Sequence, residues 1–404
     1  MGEEAQFLKK QFFRYLCPML GFLMMVVVYG LLLRDVLLLR SLLKLGEEAM
    51  SRRRLVRVLL AADLLPVVLM VGYLIDNPPI VMRVSMWVTW LWMVVTALRL
   101  SYAFFARYVH RSVGYIAATA AVGVLVYGAF WGRCDLRTEQ IEYCSERLPA
   151  SFDGLRIAFF SDLHLGALVD TEKEVSQVVE RINELNPDLV LFGGDLVNIR
   201  HSELDERATR LLKGIHAPVY SVIGNHDVGT YIGDSVALPY EVSYRRLVEQ
   251  QEAMGWCVMQ DTTLYLHRGD DSISLSGFAF DPAYKEERHD SDLPMSGTEK
   301  GYRGVPKELF NITLIHVPQH WEEILRLGYG DLTLAGHTHA MQLKLRTGRG
   351  RGISPARLIY PRWSGRYDAA GRTLYINDGI GYVAYPMRIG ARPEVTLITL
   401  KRCE

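Results

Sequence analysis

The sequence predicts two architectures in one 404-residue chain: a front of about four transmembrane helices, then a layered α/β domain. Three observations predict it. Four long apolar runs all precede residue 134. After Leu148, short β-branched and aromatic runs alternate with segments of helical period. The polar clusters of that second part each follow the C-terminal end of a strand, the edge at which open α/β sheets bind ligands. The expected organisation is an anchor region at residues 1–133, a linker and leading strand at 134–149, and the α/β domain at 150–404.

The apolar runs are Cys17–Leu33, Val58–Ile75, Val84–Leu98 and Val113–Trp131. Three have about the length a bilayer requires, and the third reaches it when extended back to Pro79. Trp87, Trp90, Trp92, Tyr115 and Trp131 suit spans and their interfaces. Asp63 and Pro66 interrupt the second run, so Asp63 either faces the bundle interior or sits near a boundary. A buried helical domain rarely stays this apolar all round, and a cleaved signal peptide accounts only for the first run. Seven basic residues lie in Arg34–Arg57 and three in Arg99–Arg111, against three in the N-terminal tail and one in Asp76–Arg83. Positive charge marks the cytoplasmic side. The two richer loops therefore go inside and an even number of spans leaves the C-terminal part outside. The expectation is a multi-pass inner-membrane protein with an extracytoplasmic, periplasmic domain.

In the second part, "GLRIAFFSDLH" is a strand with a polar end, and "TEKEVSQVVERINELNP" a helix with Val175, Val178, Val179 and Ile182 on one face, stopped at Asn186-Pro187. "DLVLFGGD" is a buried strand, "ATRLLKGIHA" a helix and "PVYSVIGNHD" a strand. "EVSYRRLVEQQEAMG" is a helix, followed by the strands "WCVMQDTTLYLH" and "SISLSGFAF". "NITLIHVPQH" (strand), "HWEEILRLGY" (helix) and "DLTLAGHTH" (strand) come next, and the strands "RTLYINDGIG" and "EVTLITL" close the chain. Segment Asp281–Gly304 is long and polar, an insertion, a flap or a plain loop.

Charge excludes one class of partner. Through Arg133 the chain holds 15 Lys/Arg and 7 Asp/Glu; the remainder holds 30 and 38, a balance of −8. An acidic domain offers no footprint for nucleic acid. The five cysteines form no CxxC. Cys134 and Cys144 are close enough in sequence to pair in an oxidising compartment, with unpaired cysteines the plainer reading.

Five strand ends carry candidate chemistry: "SDLHLG" (Asp162, His164), "FGGDLVN" (Asp195), "IGNHDVG" (Asn225, His226, Asp227), "LIHVP" (His316) and "AGHTH" (His337, His339). Five of the eleven histidines fall there. Carboxylate, amide oxygen and imidazole, with no thiolate, suit Mn, Fe, Zn or Co rather than a structural thiolate zinc site. Seven ligands are too many for one ion and fit two, with one carboxylate between them. His201, His216, His267 and His289 lack partner motifs and read as surface residues; His320 reads as a non-ligand.

Together, "D-x-H … GD … GNHD … H … GHTH" resembles the calcineurin-like metallophosphoesterase superfamily over about residues 150–404. The ending "GIGYVAYPMRIGARPEVTLITL" looks like its membrane-linked branch of YkuE/YaeI-like and UDP-2,3-diacylglucosamine hydrolase-related proteins. The resemblance implies a four-layer α/β/β/α sandwich and a metal-dependent hydrolase of phosphomonoesters or phosphodiesters. Asp162, His164 and His339 would hold one metal, and Asn225, His316 and His337 a second. Asp195 would bridge the two. His226 would stand near the scissile phosphate as proton donor, oriented by Asp227. Two divalent or trivalent ions (Mn, Fe or Zn) are the implied cofactors, with a phosphoester, possibly lipid-linked, as substrate and the bilayer as partner. That branch usually has "GHTHGGQ", whereas this chain has Ala340 and Met341 before Gln342; it also has Asn198 where Asp is common. The alternative from another class is an inactive scaffold or sensor on the same fold, which would be expected to have lost ligands.

Overall fold

The structure, a computed structural model, describes residues 50, 53–54, 56–61, 63–65, 79–229, 231–232, 238–280, 298–346 and 352–403. The first predicted span, most of the second, His289 and most of Asp281–Gly304 lie outside these residues. The chain divides into two compact units, one holding Met1–Leu125 and the other Val126–Ile232 and Val236–Glu404.

In the first unit, helix α1 covers Pro79–Tyr108, and helix α2, Arg111–Phe130, begins there and runs on into the second unit. Among the described residues, two helices are long and apolar enough to cross a bilayer, Ile80–Tyr108 and Arg111–Cys134. Outward side chains such as Ile80, Leu91 and Ile116 are exposed and apolar, as lipid contact requires. Asp63 resolves to the interior. It is buried and paired with Arg99 at 2.8 Å, and Trp92 Nε1 donates to it at 3.3 Å. A charge in an apolar helix region is tolerated when paired in this way.

Among its described residues, the second unit contains two six-stranded mixed sheets. The first uses β1 (Arg137–Ser145), β2 (Arg156–Phe160), β3 (Leu189–Phe192), β4 (Val219–Ser221), β5 (Cys257–Val258) and β12 (Glu394–Arg402), in the order β1-β12-β2-β3-β4-β5. The second uses β6 (Thr262–Arg268), β7 (Asp271–Gly277), β8 (Asn311–Leu314), β9 (Leu332–Ala335), β10 (Gly365–Ala369) and β11 (Arg372–Ile376), in the order β10-β11-β9-β8-β7-β6. Strands β2 to β5 are parallel neighbours, as are β7, β8, β9 and β11.

Alternation explains the layering. Ile157, Phe159, Leu191, Leu275, Leu314, Leu334 and Ile398 share one buried cluster between the sheets, each fully buried. Each such side chain contributes about 1.5–3 kcal/mol by leaving water. The other faces are covered by helices. Helix α3 (Thr171–Glu184) starts at the Asp170 cap, whose side chain accepts from Lys173 N at 3.1 Å, and buries the predicted Val175, Val178, Val179 and Ile182. Helix α4 (Glu206–Leu212) is capped by Asp205, and helix α5 (Tyr240–Ala253) follows β4. A short helix α6 (Thr298–Gly301) precedes β8. Helix α7 (Trp321–Leu327) packs Trp321 and Ile324 with Phe278, Leu374 and Ile376 and ends at Gly328, φ 80°.

Two strands and one histidine differ from the sequence reading. The run "WCVMQDTTLYLH" is two strands, one on each sheet, with Asp261 at φ 53° in the crossing. A continuous apolar pattern gives no sign of a change of sheet. Strand β10 was not expected, because its residues alternate little and are mostly exposed. His201 is half-buried, its backbone N–H donating to Ser243 Oγ at 3.0 Å. His216 and His267 are exposed, as expected.

Cys144 forms a disulfide with Cys403, across a Cα–Cα distance of 5.5 Å, and Cys134 is free. Parallel pairing of β1 with β12 brings together cysteines 259 residues apart, a neighbourhood that sequence proximity does not reveal. Replacing Cys403 by Ser should lower unfolding stability by about 2–4 kcal/mol. Thermal unfolding of the detergent-solubilised chain checks this; an unchanged midpoint for both Cys403→Ser and the reduced wild type would contradict it.

Candidate metal centre

All nine candidate residues converge. Asp162 and His164 follow β2, Asp195 follows β3, and Asn225, His226 and Asp227 follow β4, three adjacent parallel strands of the first sheet. His316 follows β8, and His337 and His339 follow β9, adjacent strands of the second. The site therefore lies where the C-terminal edges of both sheets meet.

Backbone geometry aims the side chains. Asp162, His164, Asp195, His337 and His339 have φ of 55°, 48°, 60°, 73° and 49°. Asp and His tolerate the left-handed region better than most residues, yet each such position still costs energy that surrounding structure must offset. The turns are locked together: Asp162 N donates to Gly194 O at 2.9 Å, His164 N to Asp195 O at 3.1 Å and Gly336 N to His316 O at 3.0 Å. A Cβ at Gly224 would collide with the Asp195 carboxylate and one at Gly336 with that of Asp162, so these turns require glycine.

Asp195 is central. Its Oδ2 is 3.1 Å from His316 Nε2 and 3.6 Å from His164 Nε2, while Oδ1 accepts from His226 N at 2.8 Å. On one side, His339 Nε2 lies 3.0 Å from His164 Nε2 and 3.3 Å from Asp162 Oδ1. On the other, Asn225 Oδ1 lies 3.0 Å from His316 Nε2 and 2.9 Å from His337 Nδ1. Asp162–His164–His339, His164–Asp195–His226 and Asp195–His316–His337 each place one donor atom per residue within 4.8 Å of the others. His320 belongs to none of these groups among the described residues.

This donor set fits metal ions. Burial pushes His164 and His339 well below the usual imidazole range and His337 down to about 3, so these rings stay neutral with lone pairs available. His164 Nδ1 is buried without a hydrogen-bond partner, while its Nε2 faces another imidazole nitrogen and a carboxylate, an arrangement that a cation would satisfy. Burial pushes the Asp195 carboxyl up, but the His316 and His226 charges outweigh it and hold the group well below the usual range. For His316 the Asp195 charge likewise overcomes burial and raises the ring to about 9. Burial raises Asp162 to about 6.

Asp227 acts differently from the expected role. Its carboxylate accepts from the backbone N–H of Gly224, Asp195, Leu196 and Val197 at 2.8–3.1 Å, so it braces the Asp195 turn. The His226 ring is instead held by Nδ1 donating to Asn198 O at 2.6 Å and by stacking on Tyr231, centroids 4.3 Å apart. Sequence reasoning missed three more residues. Glu203, raised to about 7 by burial, accepts from the backbone N–H groups of Gly166, Asn198, Ile199 and Arg200 and fixes the loop after Asp195. Tyr360 stands edge-on to His337 at 5.8 Å. Arg388 is wholly buried, donates to the carbonyls of Gly381, Asp378 and Ala391, and points Nη2 at His339 Nδ1 at 3.0 Å. Guanidinium only donates, so that nitrogen accepts. A buried arginine has no periodic or motif signal; only its place in the quoted C-terminal ending could have pointed to it.

Ala340 is fully buried and Met341 half-buried, both in the left-handed region at φ 49° and 48°. The Ala340 side chain packs with Ala356, Trp363 and Ala391.

The calcineurin-like phosphoesterase family description matches residues 155–341, which contain every candidate ligand. A "Transmembrane protein with metallophosphoesterase domain" of Danio rerio is 32% identical over 287 residues, 69% of this chain and 60% of that protein, so the match spans less than two thirds of that relative. "Uncharacterized metallophosphoesterase YkuE" of Bacillus subtilis is 30% identical over 295 residues, 70% of this chain and 93% of that protein. "UDP-2,3-diacylglucosamine pyrophosphatase LpxG" of Chlamydia trachomatis is 33% identical over 103 residues, 25% of this chain and 31% of that protein.

Two predictions follow from this geometry. Left-handed backbone costs an L-residue roughly 1–2 kcal/mol, so Ala340→Gly and Met341→Gly should each raise or hold thermal stability despite glycine's greater unfolded-state entropy; a clear drop in both midpoints would contradict the strain argument. Arg388→Ala should weaken metal affinity by about 10–100-fold, the usual effect of removing a group that orients a ligand, as read by metal titration of the purified chain; unchanged affinity would sink that role.

Proposed function

The chain belongs to the calcineurin-like phosphoesterase family, and we propose from this that it is a membrane-anchored dinuclear metal phosphohydrolase. The observation that carries the reading is the convergence of six ligand-type side chains around a seventh, the central Asp195 carboxylate, none of them lost. Asp162, His164 and His339 would hold one ion, and Asn225, His316 and His337 the other, with Asp195 shared by both sets. Mn, Fe or Zn suits the donors. Bound ions supply Lewis-acid stabilisation of phosphoryl oxygens and make water a nucleophile near neutral pH.

The chain's own residues do the rest. The Asn198 carbonyl fixes the His226 Nδ1 proton, and Tyr231 fixes the plane of the ring, so His226 presents its other nitrogen to a leaving oxygen. Proton donation of this kind is typically worth about 10²–10⁴-fold. Asp227 holds the Asp195 turn through four backbone donors, so its part in catalysis is positional.

The substrate we favour is a lipid-linked or envelope phosphoester. The apolar helices and the partial likeness to a protein named for a diacylated sugar nucleotide support it. The domain faces the extracytoplasmic side of an inner membrane, a placement favoured by loop charge and by the Cys144–Cys403 disulfide, since such bonds persist in oxidising compartments. An inactive scaffold on this fold has no need to retain a strained, fully furnished set of ligands.

Asp195→Asn should abolish turnover and metal loading together. His226→Ala should retain the metals and lose about 10²–10⁴-fold in turnover. Metal analysis and assays on monoesters, diesters and lipid pyrophosphates test both, and full turnover by either purified variant defeats the assignment. A cytoplasmic signal from a C-terminal reporter fusion would reverse the topology.

A further inference from the structure

Glu203 ends the short turn His201–Glu203 and is not one of the candidate ligands, yet its carboxylate joins two loops of the centre. Oε2 accepts from Gly166 N at 3.0 Å and from Asn198 N at 2.5 Å, while Oε1 accepts from Ile199 N at 3.0 Å and from Arg200 N at 3.3 Å. Gly166 stands two residues after His164, and Asn198 three after Asp195. The reaction as derived above gives this carboxylate no task, but the loop it braces has one.

Asn198 is held at both of its backbone groups. Its N–H donates to Glu203, and its carbonyl accepts from His226 Nδ1 at 2.6 Å. The His226 ring in turn meets the His164 ring edge-on, centroids 4.7 Å apart. One carboxylate oxygen thus ties the turn behind His164 to the residue that holds His226. It sets the spacing between a candidate ligand and the candidate proton donor. Packing leaves it little play, because a Cβ on Gly166 would collide with the Glu203 carboxylate. On the other side the turn is pinned to α5: His201 N donates to Ser243 Oγ at 3.0 Å, and Gln250 Nε2 to Leu204 O at 3.2 Å. Loops are the mobile parts of a fold, so a loop carbonyl that aims a ring needs a supporting shell of this kind.

We propose that Glu203 is the positioning residue for the proton donor His226, acting through the Asn198 backbone and not on substrate or metal. The proposal rests on the hydrolase reading above. Asp227 is committed elsewhere, to the N–H groups of Gly224, Asp195, Leu196 and Val197. Two acidic side chains therefore divide the loop after β3. Asp227 holds residues 195–197 and Glu203 holds residues 198–200. The consequence is specific. A donated proton matters most to a basic leaving oxygen and little to an acidic one such as 4-nitrophenolate. A defect that acts through His226 falls more heavily on the basic leaving group, whereas a general loosening of the centre falls on both alike.

The test compares the purified full chain with Glu203→Gln, His226→Ala and the double variant. Glu203→Gln keeps the side chain's shape and turns one acceptor oxygen into a donor facing backbone N–H groups. Its turnover of phenyl phosphate should fall about 10²-fold, the usual cost of a misplacement of about 1 Å, with a loss on 4-nitrophenyl phosphate about tenfold smaller. Metal content should stay at the wild-type level. In the His226→Ala background the same substitution should cost nothing further, because residues that act as one unit are not additive. In the metal-free chain carrying isotope-labelled histidine, the His226 Nδ1 proton is identified by its loss in His226→Ala. It should exchange rapidly with water in Glu203→Gln, while the His316 Nδ1 proton on Gly193 O stays protected. Gly166→Ala displaces the same carboxylate from the other side and repeats every arm if Glu203→Gln does not fold. Equal losses on the two esters, an additive cost in the His226→Ala background, or an Nδ1 proton as protected as in wild type each overturn the proposal. Loss of the metals from Glu203→Gln also overturns it, by assigning the carboxylate to the His164 turn. A wild-type chain loaded with manganese or zinc that turns over neither ester defeats the hydrolase reading instead, and the exchange arm still decides whether Glu203 holds the ring.

Discussion

The Asp195 carboxylate is the point on which the centre depends. It is buried, and each of its contacts comes from a different strand end: His164 from β2, His226 from β4 and His316 from β8. A lone buried carboxylate would be too costly to keep charged. Here the surrounding imidazoles more than offset burial and hold it ionised, and the Asp227 carboxylate fixes its backbone N–H. The sheets can therefore bring their C-terminal edges together only if both sets of turns supply the right groups. This is why the left-handed residues cluster at the same positions. The backbone strain is stored where the packed sheets behind it leave the turns no alternative path.

How far the sequence revealed this follows from the range of each interaction. Helix α3 was legible because its face is local, four aliphatic residues at helical spacing behind an Asp cap. The five strand ends were legible because each candidate ligand immediately follows an apolar run, so the residues that converge, Asp162 to His339, could be listed without knowing which strands pair. Arg388 and Glu203 were not legible. Their partners are backbone carbonyls and N–H groups, which carry no residue identity, and they are recognised only once the chain is folded. Cys144 and Cys403 failed to register for the same reason, being joined by strand pairing rather than by spacing. The role expected of Asp227 shows the opposite limit. A motif names the residue, but only geometry shows that its carboxylate serves four backbone donors rather than the neighbouring ring.

The turn after His339 shows how strain and packing are shared out. Four successive residues, His339 to Gln342, have positive φ, a conformation that glycine adopts without penalty and alanine or methionine does not. The Ala340 methyl group contacts Ala356, Trp363 and Ala391, so the side chain recovers by burial part of what the backbone loses. Gln342 closes the turn. Its Nε2 donates to the carbonyls of Tyr385 and Met387, and its Oε1 accepts from Val383 N. The substituted positions thus face inward, toward the segment that carries Arg388. Any effect on substrate choice has to pass through the placement of this loop.

Arg388 also sets an unusual electronic condition at His339. At His316 the non-facing nitrogen donates to a backbone carbonyl, Gly193 O at 2.8 Å, the arrangement that commonly orients a ligating imidazole and raises its basicity. At His339 the corresponding nitrogen meets a guanidinium and must accept. Without an ion, Nε2 then carries the ring proton and can donate it to His164 Nε2, 3.0 Å away. His339 would be among the residues to hold an ion, with the buried guanidinium beside the far nitrogen of its ring. Burial pulls Arg388 down only to about 10, so it remains charged at neutral pH. The surroundings of His316 and His339 are therefore chemically unequal by construction. One ring is held by a neutral carbonyl, the other against a permanent positive charge.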